Sequence, residues 1–220
     1  VRGRSPRHHL GRPKEDAMAA VALFLAGVAL WAVLVRFFWK AGAWLPYFVA
    51  GAAGCAFLLV VLLRDFVPGE TVLRAATAGT VNSIAWALGV HTRVTTSSPG
   101  DLLVVGVPYH NQWTMLSIGI ECSGLLEIAT LFGLVLFFPA LRLPKRLFVL
   151  AVAIGLTFAA NIVRMLVIVM AVAYGGQSTL EIAHVVLGRL VFFVLAIGIY
   201  WFAITRPTLN AVGSRLREAR

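Results

Sequence analysis

Three side chains in the second half of the chain have the types that acyl transfer needs: a thiol at Cys122, a guanidinium at Arg164 and an imidazole at His184. A thiolate is a nucleophile, and a neighbouring cation or a helix N-terminus lowers its pKa. A neutral imidazole takes the thiol proton and returns it to a leaving amine. A guanidinium stabilises the thiolate or the oxyanion of a tetrahedral intermediate. Asn161 lies one helical turn before Arg164 and shares its face, where it orients Arg164 or donates a further hydrogen bond. Ser123 is a second candidate nucleophile with His184, as in a serine protease, but the adjacent thiol is the stronger nucleophile near neutral pH.

These groups sit in a chain of membrane composition. The 220 residues are 60% hydrophobic and 13% charged, with a mean hydropathy of +0.89. Soluble domains are about half apolar and about a quarter charged, so the sequence reads as an all-α polytopic membrane protein. A crossing helix needs about 20 apolar residues. Spans are expected over 17–35, 44–63, 123–141, 147–173 and 182–204. The run 71–90 is less apolar, with Arg74, Thr77, Thr80, Asn82 and Ser83. It reads as a sixth span packed among other helices, with a surface-lying helix as the alternative. The first run exceeds a signal-peptide core and is followed by further spans, so it reads as a retained helix.

Parity and charge set the expected orientation. Six spans with the N-terminus inside place Arg2, Arg4, Arg7, Arg12, Lys14, Arg64, Arg74, Arg142, Lys145, Arg146, Arg206, Arg215, Arg217 and Arg220 on the cytoplasmic side. Only Arg36, Lys40 and Arg93 fall outside, as the positive-inside rule demands. The net charge of +10 is therefore a topology signal and not a nucleic-acid groove. Residues 1–16 and 206–220 are basic cytoplasmic tails around one membrane domain, 17–205. The outer segment 91–122 is strand-like: "TRVTTSS", a turn at Pro99-Gly100-Asp101, "LLVVGV", a loop, then "WTMLSIGI". A small antiparallel sheet is expected there, leading the chain into Cys122.

Helical rise then brings the chemistry to one level. From Leu147 to Arg164 the rise is about 26 Å, close to the far boundary of a core about 30 Å thick. Cys122 opens the fourth span and His184 the sixth, both from outside. Glu127 and Arg189 each lie five residues further in. They are expected to pair as a buried brace below the thiol and imidazole, since a lone charge is costly there. Cys55, in mid-span, reads as a small core residue. His91 and His110 read as surface residues. Two cysteines make no disulfide framework. No paired Cys or His at ligand spacing and no glycine-rich phosphate loop occurs, so neither a metal nor a cofactor is expected.

The motifs "CSGL" at Cys122–Leu125, "NIVR" at Asn161–Arg164 and "HVVLGRLVF" from His184 resemble the exosortase/archaeosortase family. These are polytopic membrane cysteine transpeptidases that act as sortase analogues. The resemblance covers about Gly106 to Phe193. It implies that Cys122 is the nucleophile, with Arg164 and His184 as its partners. It implies a membrane-anchored protein substrate with a C-terminal motif, a transmembrane helix and a basic tail, cut on the outer side through a thioester. The acyl group would pass to an amine or lipid acceptor that the resemblance does not identify. The commoner members carry "ACSGLR"; here Glu121 precedes the cysteine and Leu126 stands at the arginine position. In this the chain looks closer to compact Gram-positive variants. A non-enzymatic component of surface polysaccharide or protein export is the alternative function, because intramembrane Arg and Glu also mark transport paths.

Overall fold

The computed structural model describes residues 13–97, 102–109, 112–138 and 143–206. Most of both basic tails, the turn at Pro99–Asp101 and His110 lie outside the described residues. The chain divides into two compact units, Val1–Gly51 and Ala52–Arg220. The first holds helix α1 (Pro13–Lys40) and the start of α2 (Trp44–Val61). Gly42, at φ +68°, reverses the chain between them. The Trp31 indole N–H donates to the Ala50 carbonyl at 2.9 Å, and the Trp39 and Tyr47 rings meet at 5.0 Å.

The second unit begins inside α2, which ends in a π-helical turn at Leu62–Phe66. It continues through α3 (Gly69–Ala87), β1 (Arg93–Ser97), β2 (Leu102–Tyr109), β3 (Gln112–Ile118), α4 (Ile120–Ser123), α5 (Leu125–Phe137), α6 (Leu143–Gly175), α7 (Gln177–Ile182) and α8 (Gly188–Tyr200). The sheet is antiparallel in the order β1-β2-β3, with Val105 opposite Val94 and Leu116. Side chains alternate along β3: Thr114, Leu116 and Ile118 point inward, and Trp113, Met115 and Ser117 outward.

Two buried clusters stack along α6. One joins Ala78, Val81 and Ala85 of α3 to Val105, Val107, Leu116 and Ile118 of the sheet, and to Met165, Ile168, Val169 and Val172 of α6. The other joins Leu131 and Val135 of α5 to Val149, Leu150 and Ala153 of α6 and Ile199 of α8. At 1.5 Å per residue α6 is about 50 Å long, well beyond a hydrocarbon core of about 30 Å. The extra length is used: its second half forms the floor of the sheet.

Four helices are long and apolar enough to cross a membrane: Ala17–Lys40, Trp44–Phe66, Leu143–Gly175 and Gln177–Ala203. Helix α5 is apolar but shorter than the span expected over 123–141, ending at Phe137 with residues 139–142 outside the described ones. The run 71–90 does form a helix, α3, yet it is not among the four. It lies against the sheet and α6, and its polar residues explain why. Arg74 and Thr77 are buried because they hold backbone carbonyls at the end of the sheet and in α4. Arg74, expected in a cytoplasmic loop, is instead beside the chain that carries Cys122.

Candidate active site

The chain reaches Cys122 through Gly119, whose carbonyl accepts from the backbone N–H groups of Cys122 and Ser123, both at 3.1 Å. This single helical turn cannot run on into α5 because Gly124 takes φ +79°. Only glycine adopts that conformation cheaply, and a Cβ there would press on Asn161 at 3.2 Å. Ser123 staples the break. Its hydroxyl donates to the Ile120 carbonyl at 2.7 Å and accepts from the Leu125 N–H at 3.2 Å. Buried and doubly engaged, this hydroxyl is a poor candidate for a nucleophile. The Cys-Ser-Gly sequence is thus a local device for presenting a thiol at a kink.

Distant side chains clamp this turn by its carbonyls. From α6, the Asn161 amide donates to the Cys122 carbonyl at 2.9 Å, and Arg164 donates to the Glu121 carbonyl at 3.2 Å. From α3, Arg74 donates to the Ile118 carbonyl at 2.7 Å, and the Thr77 hydroxyl donates to the Ser123 carbonyl at 3.5 Å. Glu70 pairs with Arg74 at 3.6 Å. Asn161 therefore holds the backbone of Cys122, and no hydrogen bond among the described residues joins it to Arg164. The sequence reading missed Arg74 and Thr77. Their signal was present as polar residues at helical spacing in 71–90, but it was assigned to topology.

His184 lies in a π-helical turn, Ala183–Leu187, that joins α7 to α8. Such a turn shifts the helical register locally and often marks a functional position. Its Nε2 stands 4.0 Å from Cys122 Sγ. The Arg164 guanidinium is buried beneath them, 5.9 Å over the Phe192 ring. The three residues singled out by type and depth therefore do meet. Glu127 does not take the expected partner: its carboxylate lies 3.5 Å from Arg164, and no ion pair among the described residues joins it to Arg189. The reason is geometric. Arg164 comes in from α6 between α5 and α8 and intercepts the carboxylate, while Arg189 stays exposed in the adjoining groove.

Electrostatics at the thiol run opposite to the expectation of a lowered pKa. Burial pushes the Cys122 thiol up, and the carboxylates of Glu121 and Glu127 add to this, outweighing the pull of Arg164 and of the Gly119 backbone. Burial thus favours the neutral thiol over the thiolate. Hydrogen-bonding capacity is left open around it: Asn161 Oδ1, Arg164 Nε, Glu127 Oε2 and His184 Nδ1 are buried without partners. A groove of about 410 Å³ lined by Glu121, Glu127, Arg164 and Arg189 opens beside it. Among the described residues no group of three His, Cys, Asp or Glu is placed to hold a metal ion.

A neutral thiol beside an imidazole, with a buried guanidinium close by, can perform base-assisted nucleophilic attack on a carbonyl. Comparison with known proteins gives a family. The model of the transmembrane exosortase family (Exosortase_EpsH) matches residues 6–202. No curated protein and no solved structure matches the chain.

Proposed function

The chain belongs to the transmembrane exosortase family, and on that premise we propose that it is a membrane-embedded cysteine protease/transpeptidase that cleaves a C-terminal sorting signal. The observation that carries this reading is the approach of Cys122 Sγ to His184 Nε2 at 4.0 Å across 62 positions of sequence. His184 takes the thiol proton as the sulfur attacks the scissile carbonyl, then gives it to the departing amine. Arg164 faces the developing oxyanion. The acyl group rests on Cys122 as a thioester until an amine or water displaces the thiol, which recovers its proton from His184. Substrate is a membrane-anchored protein with a short motif, a transmembrane helix and a basic tail.

The reading places the site and the sheet on the extracytoplasmic side and the C-terminal tail in the cytoplasm. The distribution of Lys and Arg supports six crossings with both tails inside. The contacts of α3 with the site favour a second arrangement, in which α3 belongs to the outer cap, five helices cross and the N-terminal tail is outside. The two share the sidedness of Cys122.

The test is intact mass of the chain enriched from its native membranes. A polypeptide adduct on Cys122 that hydroxylamine removes, and that is missing from Cys122→Ala, is expected. A Cys122→Ala variant that supports normal release of cleaved surface proteins would favour a non-enzymatic role in polysaccharide or protein export.

A further inference from the structure

The sheet has two edge strands, and they are not alike. β1 opens with Arg93, and α3 packs against it. β3 carries no charged residue and no proline. Proteins usually blunt a free edge with charge, proline or a covering element, because its unpaired N–H and C=O groups recruit a further strand. The register shows which groups of β3 are free. Pro108, which has no N–H to donate, stands opposite Trp113. Trp113 therefore belongs to a pair without ladder bonds, and by alternation so do Met115 and Ser117. Their N–H and C=O groups point away from β2, and among the described residues no hydrogen bond reaches them.

The largest side chain of this edge is drawn off it. The Trp113 indole lies over Gly106 of the middle strand, where a Cβ would come within 3.2 Å of the ring. Arg93, from the far strand, stacks on the same ring at 4.9 Å. The edge so exposed leads straight to the thiol: β3 ends at Ile118, and Cys122 lies in the next turn of chain. Four extended residues span about 13 Å, so a strand paired with β3 ends close to Cys122.

We propose that the substrate adds the uncharged, extended segment just N-terminal to its cut bond to β3, as a fourth and parallel strand bonded to the backbone of Trp113, Met115 and Ser117. This is recognition by strand addition, in which main-chain bonds hold the peptide and alternate side chains are read by the sheet. It rests on the peptidase reading, which also sets the direction. A parallel strand brings the scissile carbonyl to Cys122 and sends the substrate's transmembrane helix into the bilayer where α5 enters it. An antiparallel strand would send that helix away from the membrane.

Met115→Pro removes the central outward N–H and leaves the ladder with β2 intact. In cells it should lower the hydroxylamine-sensitive adduct on Cys122, read by intact mass, about tenfold or more at wild-type membrane yield. Val94→Pro removes an N–H that is free for the same reason on β1, since Val105 opposite it bonds to β3; its adduct should match the wild type. The photocrosslinker p-benzoyl-phenylalanine at position 115, irradiated in native membranes, should capture the same polypeptide that Cys122 carries as its thioester, and at position 94 should not. The crosslink carries the test if Met115→Pro does not fold. Equal adduct in the two proline variants, equal capture from positions 94 and 115, or capture from position 115 of a second copy of this chain alone overturns the proposal. Each of these leaves the peptidase reading standing, because the wild type still carries an adduct that Cys122→Ala lacks. A wild type without any adduct overturns both.

Discussion

The two buried clusters along α6 are built on different principles. The upper one, of α3, the sheet and residues 162–172, resembles the core of a small soluble domain, with fully enclosed Val, Ile and Met side chains. The lower one, of α5, the first half of α6 and α8, is thinner, and its helices keep large apolar side chains such as Phe148, Phe193 and Val194 exposed. A cluster of the upper kind is stabilised wherever it meets water by removing apolar surface from solvent. In lipid that force is absent, and helices associate through close contact of small residues. The polar groups of the candidate site, Asn161 and Arg164, lie where α6 passes from one regime to the other. At this seam between the two clusters the Cys122 thiol is held in a buried wall.

If the chemistry belongs to the seam, changes there should affect turnover without unfolding either region. Cys122→Ala should abolish cleavage of the cell's substrate, as seen by its release on immunoblots, while membrane yield stays normal. Arg164→Lys should lower turnover about 100-fold, since an ammonium cannot hold the Glu121 carbonyl and an oxyanion from one planar fork. Near-wild-type turnover in that variant would reduce Arg164 to a generic charge.

The two regions should respond differently to packing changes. Ile168→Ala, in the upper cluster, should cost about 2–5 kcal/mol by leaving a cavity, read by thermal unfolding in detergent. Gly133→Val should be the more damaging change below, because a side chain there would strike the Ala52 backbone of α2. If both variants instead show equal sensitivity to detergent type, the contrast between a water-driven and a lipid-embedded core fails.

The electrostatic prediction concerns the seam alone. Alkylation of Cys122 by iodoacetamide, in a Cys55→Ala background, should rise with pH to a midpoint above that of an ordinary thiol, because burial raises the pKa. Arg164→Gln removes the main opposing pull and should move the midpoint higher still. A midpoint that falls in Arg164→Gln would mean that Arg164 does not act on the thiol. Glu127→Gln should have the smallest effect, roughly tenfold or less on turnover. It should be non-additive with Arg164→Gln and additive with Arg189→Gln, since the carboxylate meets Arg164 and not Arg189. A reporter fused to the N-terminal tail separates the crossing schemes: a cytoplasmic signal supports α3 as a span, an outer signal supports α3 in the cap.

Much of this was legible in local pattern. The length of apolar runs announced a membrane protein and four of its crossing helices. Strand-like composition in the outer segment, "WTMLSIGI" included, announced a small antiparallel sheet. Residue type together with helical rise brought Cys122, Arg164 and His184 to one level, because the rise per residue is nearly constant whatever a helix packs against. What tertiary structure alone decided depends on which distant side chains meet. Arg74 and Thr77 read as marks of a cytoplasmic loop and a weak span, until α3 proved to lie against the sheet and hold the Cys122 turn. Glu127 and Arg189 share a depth, but depth does not specify azimuth, and Arg164 reached the carboxylate first. The thiol's pKa followed neither its helix nor its cation, because desolvation depends on everything that encloses a group, and enclosure is a property of the assembled fold.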